Sequence, residues 1–271
     1  MTVMNSLRKL QLEELEILKK LIEICKKNKI QYFILGGTFL GAIRHKGFIP
    51  WDDDIDIGMP RNDYEKFIEL FSKYEKEDFK LEKLKYRYFI KIVNKNITVK
   101  SNTGINSEII GAWIDIFPLD GMPSNIFKKR IHMFGILFWR AMFQFSNFSR
   151  AVNVKQNKRP IYEKILISIG RIFKLENILN NFEIEKKLDK CLKKYNYENS
   201  KFVGNFMGAY KFKEMFPKKI YDEINEYEFE GIKLIAPKNY NFVLKQLYGN
   251  YMKLPSIEER NKHQIEIIVK E

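Results

Sequence analysis

Leu and Ile recur at three- and four-residue spacing through the first stretch of the chain, which predicts an amphipathic helix over about 5–29. A short apolar run, QYFIL, then predicts a strand at 31–35. Gly36-Gly37-Thr38 opens a short helix that closes near Arg44. A loop through Pro50 leads into alternating Asp and Ile, read as a strand over about 52–58. RNDYEKFIELFSKYEKE brings Tyr64, Phe67, Ile68 and Phe71 onto one helical face. Strands are expected at 88–94 (YFIKIVN), 97–100 and 110–117 (IGAWIDIF). From there the pattern is mostly helical to about 196, with short strands near 202–206 and 227–235 and a last helix near 238–247. Strand, glycine pair, helix, strand and further strands read as α/β or α+β, a mixed sheet flanked by helices with a mainly helical C-terminal extension. The boundary falls near Pro123. It divides a core, 1–123, from a region 124–271 that completes the site within one compact unit.

The stretch FIPWDDDIDIG, Phe48 to Gly58, sets four acids in five positions. Along a strand, Asp52, Asp54 and Asp56 share one face and Asp53 takes the other. Asp54 and Asp56 are then about 6.5 Å apart along the chain, close enough to lean onto one or two divalent ions. Hard oxygen ligands of this kind suit Mg²⁺ or Mn²⁺. A solvated acidic turn is the alternative. A calcium-binding loop is a further one, but it needs Gly where Ile57 stands, and its closing Glu falls at Asp63. Asp115, alone in the apolar run AWIDIF, is costly to bury without positive compensation, and beside the acidic strand it completes a three-carboxylate site. Glycines at 36 and 37 let backbone N–H groups approach a phosphate at a helix N-terminus, with Thr38 adding a hydroxyl. Arg44 is placed to clamp phosphate oxygens; His45 and Lys46 follow it.

Charge changes the picture in one region. The net charge of +14 is concentrated at 126–180, where 11 basic residues face 2 acidic ones. The same region holds the most apolar segment, IFKKRIHMFGILFWRAMFQFSNFSR. Its uncharged runs are far short of the ~20 residues that a membrane span needs. Two readings follow: a helix lying in an anionic membrane interface, or an ordinary core helix that buries Phe134, Leu137, Phe138 and Met142. Basic residues flanking a greasy run, with no polar basic face, argue against a nucleic-acid partner. Only Cys25 and Cys191 occur, in no metal-ligand spacing, and no signal peptide is visible at the N-terminus, so a reduced, cytoplasmic setting is expected.

Gly-Gly-Thr, a helix, hydrophobic-Asp-hydrophobic-Asp and a later Asp on a neighbouring strand together resemble the active-site plan of the nucleotidyltransferase fold. More specifically, LGGTFLGAIRHKGFIPWDDDIDIGMPRNDYEKF resembles the signature of the LicD family, to whose wider group fukutin and its relatives belong. AWIDIFPLDGMP resembles the second family block, and FEGIKLIAPKNYNFVLKQLYGNYMKLPSIEERNKH the C-terminal one. Residues 124–200 match least.

The resemblance implies transfer of phosphocholine or a related phospho-alcohol from a CDP-linked donor, CDP-choline first, releasing CMP. The acceptor would be a hydroxyl of a cell-surface glycan (lipopolysaccharide, teichoic acid or capsule) or of its lipid-linked precursor. The setting would be peripheral, at the inner face of the bacterial cytoplasmic membrane. Asp54, Asp56 and Asp115 are the expected catalytic metal ligands. Gly36, Gly37, Thr38, Arg44, His45, Asp52 and Asp53 are expected on the substrate side, joined by Arg260 and His263 from the C-terminal block. Nucleotidyl transfer from a nucleoside triphosphate needs the same carboxylates and stays open, as does a non-catalytic membrane-surface scaffold. The alcohol head group and the acceptor sugar are also open.

Overall fold

The computed structural model describes residues 3–76, 79–83, 85, 87–101, 108–151, 167–168, 170, 172–260 and 265–268. The first helix, α1 (Val3–Asn28), buries Leu10, Ile17, Leu18, Leu21 and Ile24. Each such side chain stabilises the fold by roughly 1.5–3 kcal/mol relative to exposure. The helix lies over two long strands, β4 (Ile90–Ser101) and β5 (Glu108–Met122). Between α1 and these strands the chain lays down β1 (Phe33–Ile34), α2 (Gly36–Arg44), β2 (Asp56–Pro60), α3 (Arg61–Phe71) and β3 (Phe79–Lys83).

The strands form an eight-stranded mixed sheet, flanked by helices, with the path β1-β2-β5-β4-β10, where β10 is Ile265–Ile268. β2 and β5 run parallel with Asp56 opposite Asp115, and β4 runs antiparallel to β5 with Lys91 opposite Asp115. Three charged residues therefore meet across the middle of an apolar sheet. β3 pairs with the first half of β4, and β10 with its last residues.

Several elements differ from the pattern reading. The acidic stretch enters the ladder only at Asp56. The Asp52 N–H closes a turn on the Ile49 carbonyl at 2.9 Å, so 52–55 runs outside the regular strand. The strands expected at 88–94 and 97–100 are one strand, with a register shift between Asn94 and Val99. Gly111 makes room for that irregularity, since a Cβ there would lie 2.0 Å from the Asn94 carbonyl oxygen. α3 stops at Phe71, where its apolar stripe gives way to charged residues.

After β5 come α4 (Ile126–Phe145), α5 (Phe148–Ala151), α6 (Leu175–Ile178) and α7 (Asn181–Leu192). The Asn125 side chain caps α4 by accepting from the amides of Phe127 and Lys128, both at 3.0 Å. His132, Ile136 and Phe143 face inward, and Ile184, Leu188 and Leu192 of α7 belong to the same small core. The opposite face of α4 looks outward: Phe134 is 71% exposed, and Ile126, Phe127, Ile131, Leu137 and Phe138 are exposed with it. The core-helix reading is thus wrong for Phe134, Leu137 and Phe138, because α7 covers only one side of a helix that is apolar nearly all round. No described helix is long and apolar enough to cross a membrane.

The chain then returns to strands. β6 (Phe202–Gly204) extends the sheet from the end of β5, and β7 (Met215–Pro217) pairs with β6 across a 3₁₀ turn, Lys211–Glu214. After α8 (Lys219–Asp222), the strand expected near 227–235 is a hairpin of β8 (Ile224–Phe229) and β9 (Ile232–Pro237). Its two-residue turn, Glu230-Gly231, has positive φ at both positions, which suits the twist of the flanking strands. α9 (Tyr240–Tyr248) and α10 (Ile257–Arg260) follow.

Candidate active site

The N-terminus of α2, the entry to β2 and the middle of β5 converge. Oxygens of Asp54, Asp56 and Asp115 lie within 4.8 Å of one another, and those of Asp52, Asp53 and Asp54 form an overlapping second group. Crowding has its expected electrostatic result. The Asp56 carboxyl is pushed well above the ordinary carboxylate range, by burial first and then by Asp54, Asp115, Glu214 and Asp52. Three hard oxygen donors that repel one another at this separation fit Mg²⁺ or Mn²⁺, whose charge relieves the repulsion. Asp115 also has a protein partner that the sequence reading did not include. The Lys91 ammonium lies 2.6 Å from its Oδ1, with both residues buried, so the charge of Asp115 is compensated before any ion binds. Asp120, five residues further along β5, has its side chain on the opposite face, where Arg61 grips both its oxygens at 2.7 and 2.5 Å.

The glycine pair is explained by the carboxylates themselves. A Cβ on Gly36, whose φ is +48°, would sit 3.0 Å from Asp56 Oδ2; one on Gly37 would sit 2.6 Å from Asp52 Oδ2. The positive end of α2 thus meets two acids, a favourable arrangement for a helix N-terminus. The Thr38 oxygen accepts the Asp56 N–H at 2.8 Å, tying helix to strand.

Arg44, His45 and Arg260 gather elsewhere, around Trp51. Arg44 donates to the Tyr251 carbonyl at 2.8 Å and through Nε to His45 Nε2 at 2.9 Å. Burial and then the neighbouring Arg44 hold His45 below its ordinary range, consistent with a neutral ring that accepts that bond. Arg260 stacks over Trp51 at 4.6 Å. This cluster borders the acidic site through Asp52, whose charge acts on Arg44. Asp53 is buried at the turn. His263 lies outside the described residues.

A cavity of about 390 Å³ opens directly on Asp54, Asp56 and Asp115. Arg87, Tyr88, Phe89, Phe117, Arg140 and Glu214 are among its walls, and sequence reasoning had singled out none of them. Arg140 is half-buried and fixed by donating to the carbonyls of Phe206 (2.6 Å) and Gly208 (3.0 Å); desolvation brings its pKa down to about 10, so it stays charged. Glu214 is buried and hydrogen-bonded to the Asn205 side chain, and burial pushes its carboxyl up to about 8. Glu14 of α1 is a second acid held well above its usual range, by burial and by Asp54, Asp53 and Asp52. An acid in the inward stripe of an amphipathic helix was the signal that could have found it.

Residues 29–148 match the family model described as LicD/FKTN/FKRP, nucleotidyltransferase domain. Over 272 residues the chain is 32% identical to a lipopolysaccharide cholinephosphotransferase LicD of Haemophilus influenzae, covering 96% of this chain and 97% of that protein. The chain belongs to the LicD family. A shorter match reaches an uncharacterized protein of Rickettsia typhi, 38% identical over 24% of this chain and 21% of that one. Another, from Rickettsia prowazekii, is 42% identical over 22% of this chain and 23% of its own length. Arg140, Asn205 and Glu214 sit on the helical and C-terminal parts of this LicD chain, and two of the three lie beyond the family-model match.

Proposed function

We propose that the chain transfers phosphocholine, or a closely related phospho-alcohol, from a CDP-linked donor to a hydroxyl of a cell-surface glycan or its lipid-linked precursor. CMP leaves as the new phosphodiester forms. The observation that carries this reading is the cluster of Asp54, Asp56 and Asp115 at the wall of a substrate-sized cavity. It occurs in a chain related over nearly its whole length to a protein named as a lipopolysaccharide cholinephosphotransferase. The chain is a LicD-type transferase.

Phosphoryl transfer asks for charge neutralisation, in-line positioning and somewhere for the acceptor proton to go. Asp54, Asp56 and Asp115 would hold Mg²⁺ or Mn²⁺, which, when bound, neutralises charge on the donor phosphates. The protein supplies the rest. Lys91 holds Asp115 in place, and Gly36 and Gly37 give the carboxylates of Asp56 and Asp52 room. The guanidinium of Arg140 and the side chain of Arg87 line the cavity as positive charges suited to phosphate oxygens. The bond from the acceptor oxygen to the phosphorus of the phospho-alcohol forms while the bond from that phosphorus to the CMP oxygen breaks. The acceptor proton passes to a carboxylate of the cluster.

We also infer peripheral contact with anionic lipid at the cytoplasmic face of the membrane. The outward Ile126, Phe127, Phe134, Leu137 and Phe138 support it, with exposed Lys128 and Arg130 in the first turns of the same helix. Assaying CMP release from a panel of CDP-linked alcohols, with Mg²⁺ or with chelator, tests the main reading. Metal-dependent release, fastest from CDP-choline, is expected; release unaffected by chelator would overturn the metal assignment.

A further inference from the structure

Glu214 is out of keeping with its surroundings. Its carboxylate is 6% exposed, on the wall of the cavity that holds the three aspartates. Among the described residues no Lys or Arg nitrogen pairs with it; Asn205 supplies a side-chain hydrogen bond, and nearby Arg140 spends its two terminal nitrogens on the carbonyls of Phe206 and Gly208. The contact is built in: a Cβ on Gly208 would come within 2.6 Å of Glu214 Oε1, so only glycine lets the loop approach so closely. The cavity is also lined by aromatic rings. Phe117 packs on Phe89 with ring centroids 4.4 Å apart, Phe89 already facing Arg87 at 5.5 Å, and Tyr88, Phe143 and Tyr210 line the space with them.

A buried carboxylate normally faces a cation. Arg140 offsets the charge of Glu214 only in part, so a cationic ligand has a carboxylate to meet, and the aromatic faces say which kind of cation it is. A quaternary ammonium carries charge but no hydrogen-bond donors, sheds its water readily and is held by ring faces and a carboxylate. A neutral polyol brings no positive charge for Glu214 or for the ring faces to meet. We infer that Glu214, with Phe117 and Tyr210, seats the quaternary ammonium head group of the transferred alcohol. This rests on the reading that a phospho-alcohol is transferred. It adds the specificity-determining residues, of which Glu214 and Tyr210 lie beyond the stretch that the family model covers. Burial pushes Glu214 up to about 8, so its carboxyl is largely protonated in the free protein and a bound cation would draw it to the charged form.

The test is calorimetric binding of phosphocholine and of its neutral carbon isostere, phospho-3,3-dimethylbutanol, to wild type and Glu214→Gln with Mg²⁺ present. CMP release from CDP-choline is followed in parallel. Wild type should prefer phosphocholine by at least about tenfold, and Glu214→Gln should remove the preference while leaving the isostere within about twofold. In turnover, the KM for CDP-choline should rise with kcat little changed. Equal affinity of wild type for both compounds would overturn the proposal. So would a Glu214→Gln loss confined to kcat, which would put Glu214 at the reacting atoms. Should Glu214→Gln fail to fold, Phe117→Leu, which keeps bulk but loses the ring face, should weaken phosphocholine binding several-fold; unchanged binding counts against the seat. Glu214-dependent binding without CMP release would retain the head-group seat and dismiss the transfer reading. CMP release indifferent to head-group charge would do the reverse.

Discussion

Replacing Lys91 by Met removes the cation that β4 sets directly opposite Asp115, leaving a buried carboxylate beside Asp54 and Asp56. The two charged atoms are 2.6 Å apart, and the residues are 4% and 6% exposed. At an effective dielectric constant of about 20 their attraction is roughly 6 kcal/mol, and desolvation of both groups cancels much of it. Breaking such a pair from one side costs about 3–5 kcal/mol, because the surviving charge is stranded. Lys91 also lies 4.4 Å from the Trp113 ring centroid, a contact that Met partly keeps through its stem. Urea denaturation of Lys91→Met, Asp115→Asn and the double variant, without divalent metal, measures the coupling. The Lys91→Met loss should be about 3 kcal/mol or more, and the double variant should be more stable than the sum of the two single losses implies. Mn²⁺ should raise the melting temperature of Lys91→Met more than that of wild type, since the ion supplies the missing positive charge. Simple additivity of the two substitutions, or a Lys91→Met loss below about 1 kcal/mol, would refute the reasoning.

Asp56→Asn should raise the melting temperature of the metal-free protein, because it removes the most crowded carboxyl, and should lower turnover by a factor of about 10³ or more; destabilisation with activity retained would contradict both roles. His132 is buried with its pKa lowered to about 4, by burial first and then by Lys194. The unfolded chain therefore binds a proton that the fold does not between pH 6.5 and about 4, so stability rises with pH across that window by at most about 1.4 kcal/mol per unit. His132→Phe should flatten that acid-side slope in denaturation curves recorded from pH 4 to 7; an unchanged slope would assign it to other groups. Flotation with anionic liposomes should carry the wild-type protein upward at low salt and less so at high salt, with Lys128→Gln and Arg130→Gln each weakening it by about 1 kcal/mol. Wild-type protein that stays wholly in the soluble fraction at low salt would deny α4 a membrane role.

The parts of the fold that local pattern controls were legible in the sequence. α1, the turn into α2 at Gly36-Gly37 and the apolar face of α3 follow from spacing alone. That Asp54, Asp56 and Asp115 come together was readable because a lone acid in an apolar strand needs a reason to be there. Lys91 carries the same signal, a single charge inside YFIKIVN, yet its meaning depends on β4 pairing with β5 in one register, a non-local fact that no window contains. Glu214 is harder still. It stands between Lys213 and Met215 in a 3₁₀ turn, where an acid is ordinarily solvated, and the close packing of Gly204 and Gly208 helps to bury it. β3 was missed because the alternation in FKLEK spans only two apolar positions, and β10 because four residues carry little periodicity. The apolar segment 126–145 allowed two readings because its helix is greasy on both sides, with α7 against one of them.

The most direct measurement combines the purified chain, Mg²⁺, CDP-choline and a glycan acceptor, with mass spectrometry of the glycan and quantitation of the released nucleotide. The expected result is a phosphocholine adduct on the glycan and CMP in equal amount, both lost in Asp54→Asn. A nucleotide attached to the acceptor, or nucleoside triphosphate consumed with release of pyrophosphate, would contradict the account.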